Sequence, residues 1–123
     1  MDWRFKDGTP LYSQIVEQMK NCIAGGDFEP GEKIPAVREL AVGAGVNPNT
    51  MQKALAELER EGLLFSERTS GRYVTEDREV INEMKVALSR EFVKELFENL
   101  GRLGMSEEEI KTVVANWEGE GEK

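Results

Sequence analysis

At 123 residues, with 39% hydrophobic side chains, the chain has the length of one domain carrying a short appendage. One cysteine and no histidine exclude an internal disulfide framework, remove the usual zinc ligand sets and take away the commonest general base. The net charge of −8 argues against nucleic acid only until it is mapped: the first 75 residues hold nine of the sixteen Lys and Arg but eleven of the twenty-four Asp and Glu, so the acidity is concentrated in the last third.

Trp3 and Phe5 alternate with polar residues, as in a short strand or arm. Thr9 suits an N-cap and Pro10 the first helical position, after which Leu11, Ile15, Met19 and Ile23 recur at helical spacing until Gly25-Gly26. Cys22 falls on the apolar side of that helix and reads as a small buried hydrophobe. Residues 28–35 read as a turn with one short extended piece. A second, short helix is expected over 36–44, broken by Gly45. A third starts with Asn47 as N-cap and Pro48 behind it and runs to about Glu61, with Gly62 just past its end. The runs Leu63-Leu64-Phe65-Ser66 and Arg72-Tyr73-Val74-Thr75 read as two strands around a polar, glycine-containing loop.

Residues 76–101 read as one long amphipathic helix. Its stripe is Ile81, Met84, Leu88, Phe92, Leu96 and Leu100, widened by Val93 and Phe97. Ser106 and Glu109 form a capping box for a last helix, and Met105 is placed to staple onto Ile110. The apolar face of that helix is Ile110, Val113, Val114 and Trp117. Residues 118–123 read as a flexible acidic tail.

The informative stretch runs from Leu40 to Leu58. Leu40 and Ala41 face inward from the second helix, and Met51, Ala54, Leu55 and Leu58 face back from the third. Gly45 permits a sharp turn, Val46 plugs the corner, and the two alanines let short helices cross closely. This is the spacing of a helix-turn-helix. It projects Asn49, Thr50, Gln52 and Lys53 outward from the start of the third helix, where short polar side chains suit phosphate contact and base-edge reading. The following hairpin makes it a winged helix, with Arg68 and Arg72 flanking Gly71. Together with Arg38 and Lys53, these residues form a candidate local basic patch.

Other readings stay open on the residues alone. A winged helix also serves as a protein-interaction module. Arg38 also suits an ion pair with Glu39 or Glu32, and the wing also suits simple closure of the core. The apolar faces of residues 76–117 fit packing within the chain as well as against a second copy, and Trp117 fits a ligand pocket as well as helix packing. Nothing nominates a catalytic residue, a metal site or a cofactor: there is no nucleophile elbow and no phosphate-binding glycine loop. No apolar run approaches the roughly 20 residues that span a bilayer, and the opening MDWRFKDGT has no apolar stretch behind a basic start. A cytoplasmic, non-enzymatic protein with no membrane partner is therefore expected.

The segments PLYSQI (10–15), FEPGEKIPAVRELA (28–41), GVNPNTMQKALAELEREGLL (45–64) and GRYV (71–74) resemble the GntR family of bacterial transcription regulators, and within it the short YtrA-like branch. The resemblance covers nearly all of residues 10–75. It implies a homodimer on a palindromic double-stranded DNA operator, with the third helix in the major groove and the wing near the minor groove. On that resemblance Arg38 matches an operator-contacting arginine, Asn49, Thr50, Gln52 and Lys53 match the recognition-helix start, and Arg68 and Gly71 match the wing tip. The chain departs from the pattern at Pro48 and Gln52, where many relatives have arginine. It departs also at Thr69, often glycine, and at Ala36, often serine.

The expected fold is mainly α with a small β-wing. A winged helix-turn-helix occupies residues 1–75, and two dimerisation helices occupy residues 76–117. The expected function is sequence-specific operator binding, most simply repression. The alternatives are a winged-helix interaction module and a regulator that senses a small ligand between its C-terminal helices; the identity of any effector is left open.

Overall fold

The computed structural model describes residues 1–119. The acidic tail expected over 118–123 lies, from Glu120 onward, outside the described residues. The chain begins with an irregular arm laid along α1 (Leu11–Gly25). Two glutamines one helical turn apart hold it there. Gln14 accepts the Lys6 N–H at 3.0 Å and donates to the carbonyls of Lys6 and Thr9, each at 2.9 Å. Gln18 accepts the Arg4 N–H at 3.1 Å and donates to the Arg4 carbonyl at 2.7 Å. An amide offers both donor and acceptor, so each glutamine satisfies an irregular backbone much as a neighbouring strand would. Trp3 and Phe5 stack on each other, with ring centroids 5.9 Å apart.

Helix α1 starts one residue later than its sequence signals suggest. Pro10 is the N-cap and no side chain caps the helix. Thr9 contributes its carbonyl to Gln14 instead. Then come α2 (Val37–Ala44) and α3 (Pro48–Arg60), and α3 packs on both α1 and α2. Ala41 and Ala54 are almost wholly buried at those crossings, as the small side chains require. Ile15, Met19, Met51, Leu55 and Leu58 fill the space between the helices with essentially no exposure. Burying each such side chain is worth about 1.5–3 kcal/mol. An ion pair between Lys20 and Glu61, 2.7 Å, ties α1 to the far end of α3.

The wing is an antiparallel pair, β1 (Leu64–Glu67) and β2 (Gly71–Val74), in the register Leu64 to Val74 and Glu67 to Gly71. Both strands are displaced by one residue from their expected bounds. Leu63 reads as strand by its apolar side chain, but its N–H bonds the Leu58 carbonyl at 2.9 Å and so closes α3. Residues 31–34 add a rudimentary third strand beside β2: Lys33 pairs with Tyr73, the Ile34 N–H bonds the Arg72 carbonyl, and the Val74 N–H bonds the Glu32 carbonyl.

Helix α4 (Arg78–Gly101) begins beyond Asp77, whose carboxylate accepts the N–H groups of Glu79 at 3.0 Å and Val80 at 3.4 Å. Helix α5 (Glu107–Ala115) has a complete capping box: Glu109 accepts the Ser106 N–H, and the Ser106 hydroxyl accepts the Glu109 N–H. The chain divides into two compact units, Met1–Lys85 and a second that begins at Val86. The division falls inside α4 rather than after Thr75. The reason is that Ile81 and Met84 are only 6% and 8% exposed and belong to the core of the first unit.

Candidate nucleic-acid interface

The turn between α2 and α3 sets the geometry. Gly45 sits at φ 70°, in the left-handed region that glycine enters without steric cost, and directs the chain into α3. The Val46 N–H bonds back to the Ala41 carbonyl at 3.0 Å. Asn47 then caps α3, its side-chain oxygen accepting the Asn49 N–H at 2.7 Å, with Pro48 in the first helical position. Asn47 and Pro48 thus shape the helix start.

Downstream of this cap Asn49, Gln52 and Lys53 are exposed and Thr50 is half-buried. The Lys53 ammonium lies over the Tyr12 ring of α1, 4.5 Å from its centroid. Such a contact is worth about 0.5–1 kcal/mol at an exposed site, enough to bias the side chain without neutralising its charge. On α2, Arg38 is exposed, and among the described residues it has no ion pair with Glu39, Glu32 or any other carboxylate.

At the wing, Arg68, Thr69 and Ser70 form the exposed tip between β1 and β2. One side of the hairpin is aromatic: Phe65 stacks on Tyr73 at 5.6 Å, and the Tyr73 hydroxyl meets the Ser70 hydroxyl at 2.7 Å. The other side is polar. Ser66 and Arg72 are cross-strand partners, and both bond the same Glu59 carboxylate oxygen on α3, Arg72 through Nε at 3.2 Å. Only 16% of the Arg72 side chain is exposed. Arg72, expected in the basic patch, is therefore held between the wing and α3, whereas Arg38, Lys53 and Arg68 are exposed.

Sequence reasoning missed Tyr12 beneath Lys53, Glu59 beneath Arg72, and Lys33 against Gly71. Each acts across a long separation and leaves no local periodicity. The one available sign was Gly71. Its φ of 123° demands glycine, and a Cβ there would sit 3.0 Å from Lys33 Cε. Among the described residues no group of three or more His, Cys, Asp or Glu could hold a metal ion. Burial, with Asp27 beside it, pushes the Cys22 thiol up, which disfavours the reactive thiolate. No described helix is long and apolar enough to cross a membrane.

The apolar side chains of the two helices expected to dimerise divide. Ile81 and Met84 are buried in the first unit, Ile110 is also buried, and Leu88 and Leu100 are half-buried. Phe92, Leu96, Val113 and Val114 are exposed at 52%, 37%, 50% and 50%. Trp117 lies beyond the end of α5 and is 78% exposed.

Comparison with known proteins identifies the architecture. Residues 11–74 match the family of bacterial regulatory proteins called gntR. The chain is 38% identical over 119 residues to the HTH-type transcriptional repressor YtrA of Bacillus subtilis, covering 93% of this chain and 92% of that one. It is 36% identical over 110 residues to YhcF, an HTH-type transcriptional regulator of the same organism, covering 89% and 91%. A GntR family transcriptional regulator from Listeria monocytogenes superposes with a TM-score of 0.82 at 35% identity, covering 93% of this chain and all of that one. The AraR DNA-binding domain, solved in complex with an operator, superposes with a TM-score of 0.53 at 35% identity over 55% of this chain and 83% of that one. A winged helix-turn-helix with exposed amides and cations at the start of its third helix, matched over this length, places the chain in the gntR family as a DNA-binding transcription regulator.

Proposed function

We propose that the protein is a repressor that binds a palindromic operator as a homodimer, with Asn49 and Gln52 reading base edges and Arg38, Lys53 and Arg68 holding phosphate. The observation that carries this reading is the start of α3, where Asn49, Gln52 and Lys53 stand exposed, together with an exposed Arg38 on α2 that has no ion pair among the described residues. An amide can pair with adenine N6 and N7 at about 1–3 kcal/mol of discrimination per good pair. Repression is supported by the 38% identity to a protein described as a repressor. Dimerisation is supported by the exposed apolar side chains Phe92, Val93, Leu96, Leu103, Val113 and Val114, all of them in the second unit. A patch of this kind on a small domain usually marks an interface. Two copies related by a two-fold axis would set the spacing of two recognition helices on a palindrome.

The direct test is selection of bound duplexes from a random pool, followed by sequencing. An enriched palindrome with two equal half-sites is expected, and the Gln52→Ala variant should lose preference at one position of each half-site. Enrichment of a single half-site, or of nothing, would contradict the dimeric reading. Unchanged preferences at every position would remove Gln52 from the readers.

A further inference from the structure

We infer that Lys33, a residue outside the helix-turn-helix, is the cation that meets backbone phosphate beside the wing, and that Arg72 is a positioning residue that fastens the wing to α3. The inference rests on the DNA-binding reading and concerns which side chains deliver it. A phosphate-binding cation must offer uncompensated charge to the duplex, because binding gains from each neutralised phosphate and the counterions it releases. Arg72 does not meet that condition. Its Nε is committed to Glu59 Oε1 at 3.2 Å, its side chain is 16% exposed, and Ser66 bonds the same oxygen. Withdrawing Arg72 to reach DNA would leave the Glu59 carboxylate partly buried without its cation, beside a polyanion.

Lys33 meets the condition. It is exposed, and among the described residues it has no ion pair. Its backbone is fixed alongside β2 by the bridge to Tyr73 and by the flanking bonds of Glu32 and Ile34. Its stem crosses the wing at Gly71: a Cβ there would lie 3.0 Å from Lys33 Cε and 3.8 Å from Nζ. The ammonium thus rests at the start of β2, next to the wing tip. A cleft lined by Lys33, Ala36, Val37, Ser70, Gly71 and the largely buried Arg72 places it beside the first turn of α2, the helix that carries Arg38. A compact, strongly hydrated ammonium suits phosphate as a point charge, without the geometric demand of a guanidinium. Gly71 consequently has two reasons to be glycine, its own φ and the passage of the Lys33 stem.

The test is equilibrium titration of the full chain with the duplex enriched from a random pool, and with a random duplex, across a series of KCl concentrations. For Lys33→Gln the slope of log affinity against log salt should become shallower by about 0.9, the value for one lost phosphate contact. Its affinity should fall alike for both duplexes, with Tm unchanged, and Lys33→Arg should retain the wild-type slope. For Arg72→Gln a lower Tm and weaker binding are expected with the slope unchanged. Glu59→Gln, which removes the anchor and keeps the charge of Arg72, should lower Tm in the same way. An unchanged slope in Lys33→Gln while the wild type binds would overturn this assignment alone. So would a slope shallower by about one phosphate in Arg72→Gln with Tm unchanged. A wild-type chain that binds neither duplex would overturn the DNA-binding reading itself.

Discussion

Helix α4 serves two regions that treat apolar side chains in opposite ways. In its first two turns Ile81 and Met84 are 6% and 8% exposed, sealed into the unit that contains the winged helix. Further along the same helix Phe92 is 52% exposed and Leu96 37%, and on α5 Val113 and Val114 are each 50% exposed. The first unit holds most of the buried core, from Ile15 and Met19 to Leu58 and Val74, and Ile81 and Met84 complete it. The second buries Ile110 and leaves most of its other large apolar side chains exposed, which is the surface the proposed dimer would cover. An even-looking stripe in the sequence thus serves two purposes: its first members belong to the core, and its later ones form a surface.

Truncation at two points separates these roles most sharply. A chain ending at Lys85 keeps Ile81 and Met84 and should fold, yet lose about 10²–10⁴-fold in operator affinity, because two half-site contacts are no longer linked. A chain ending at Thr75 loses both core side chains and should melt far lower than the Lys85 product. Thermal denaturation and gel-shift titration read the two effects separately. If the two products melted alike, α4 would not belong to the core of the first unit.

Single substitutions along α4 make the same comparison at smaller scale. Met84→Ala should destabilise the first unit by about 2–5 kcal/mol, as a truncated core side chain does. Phe92→Ala should leave the melting of the Lys85-like core almost unchanged and weaken self-association instead. Chemical denaturation of each variant at fixed protein concentration is the check; equal losses of stability would erase the distinction.

In the first unit, Gln14→Ala should cost about 1–3 kcal/mol, because the Lys6 and Thr9 backbone groups lose their partners. Faster amide exchange confined to the arm would locate that loss. The smallest expected effect is electrostatic. Hydrogen bonding from Arg60 holds the Glu57 carboxyl down at about 2, below its ordinary 4.5. Its folded-state value is depressed, so the stability it contributes is present above pH 4.5 and is lost as the pH falls toward 2. Glu57 and Arg60 form a surface pair screened by water, so the effect should be slight and should weaken with salt. Acid titration of Glu57→Gln against wild type would detect it.

Much of the fold was legible because its signals are local. Asn47 with Pro48, Ser106 with Glu109, and glycines at 26, 45 and 62 each act within a few residues of themselves and appear where expected. The start of α3 was legible for the same reason. The site's supporting contacts were not. Arg72 reaches Glu59 across 13 positions, and Gln18 reaches Arg4 across 14. Hydrogen bonds of that kind have no period and no composition. Arg72 looks like a free wing cation until the fold brings Glu59 beneath it, and Lys33 looks like a turn residue until the chain lays it on Gly71. The helix stripe misled for a related reason: periodicity reports which face is apolar but not what covers it.

The most direct measurement is sedimentation of the full chain at micromolar concentration, beside Phe92→Asp and the chain ending at Lys85. A dimer is expected for the full chain, and monomers for the variant and the truncated form. A monomeric full chain, or a truncated chain that still dimerises, would contradict the division of labour along α4 and the dimeric operator complex built on it.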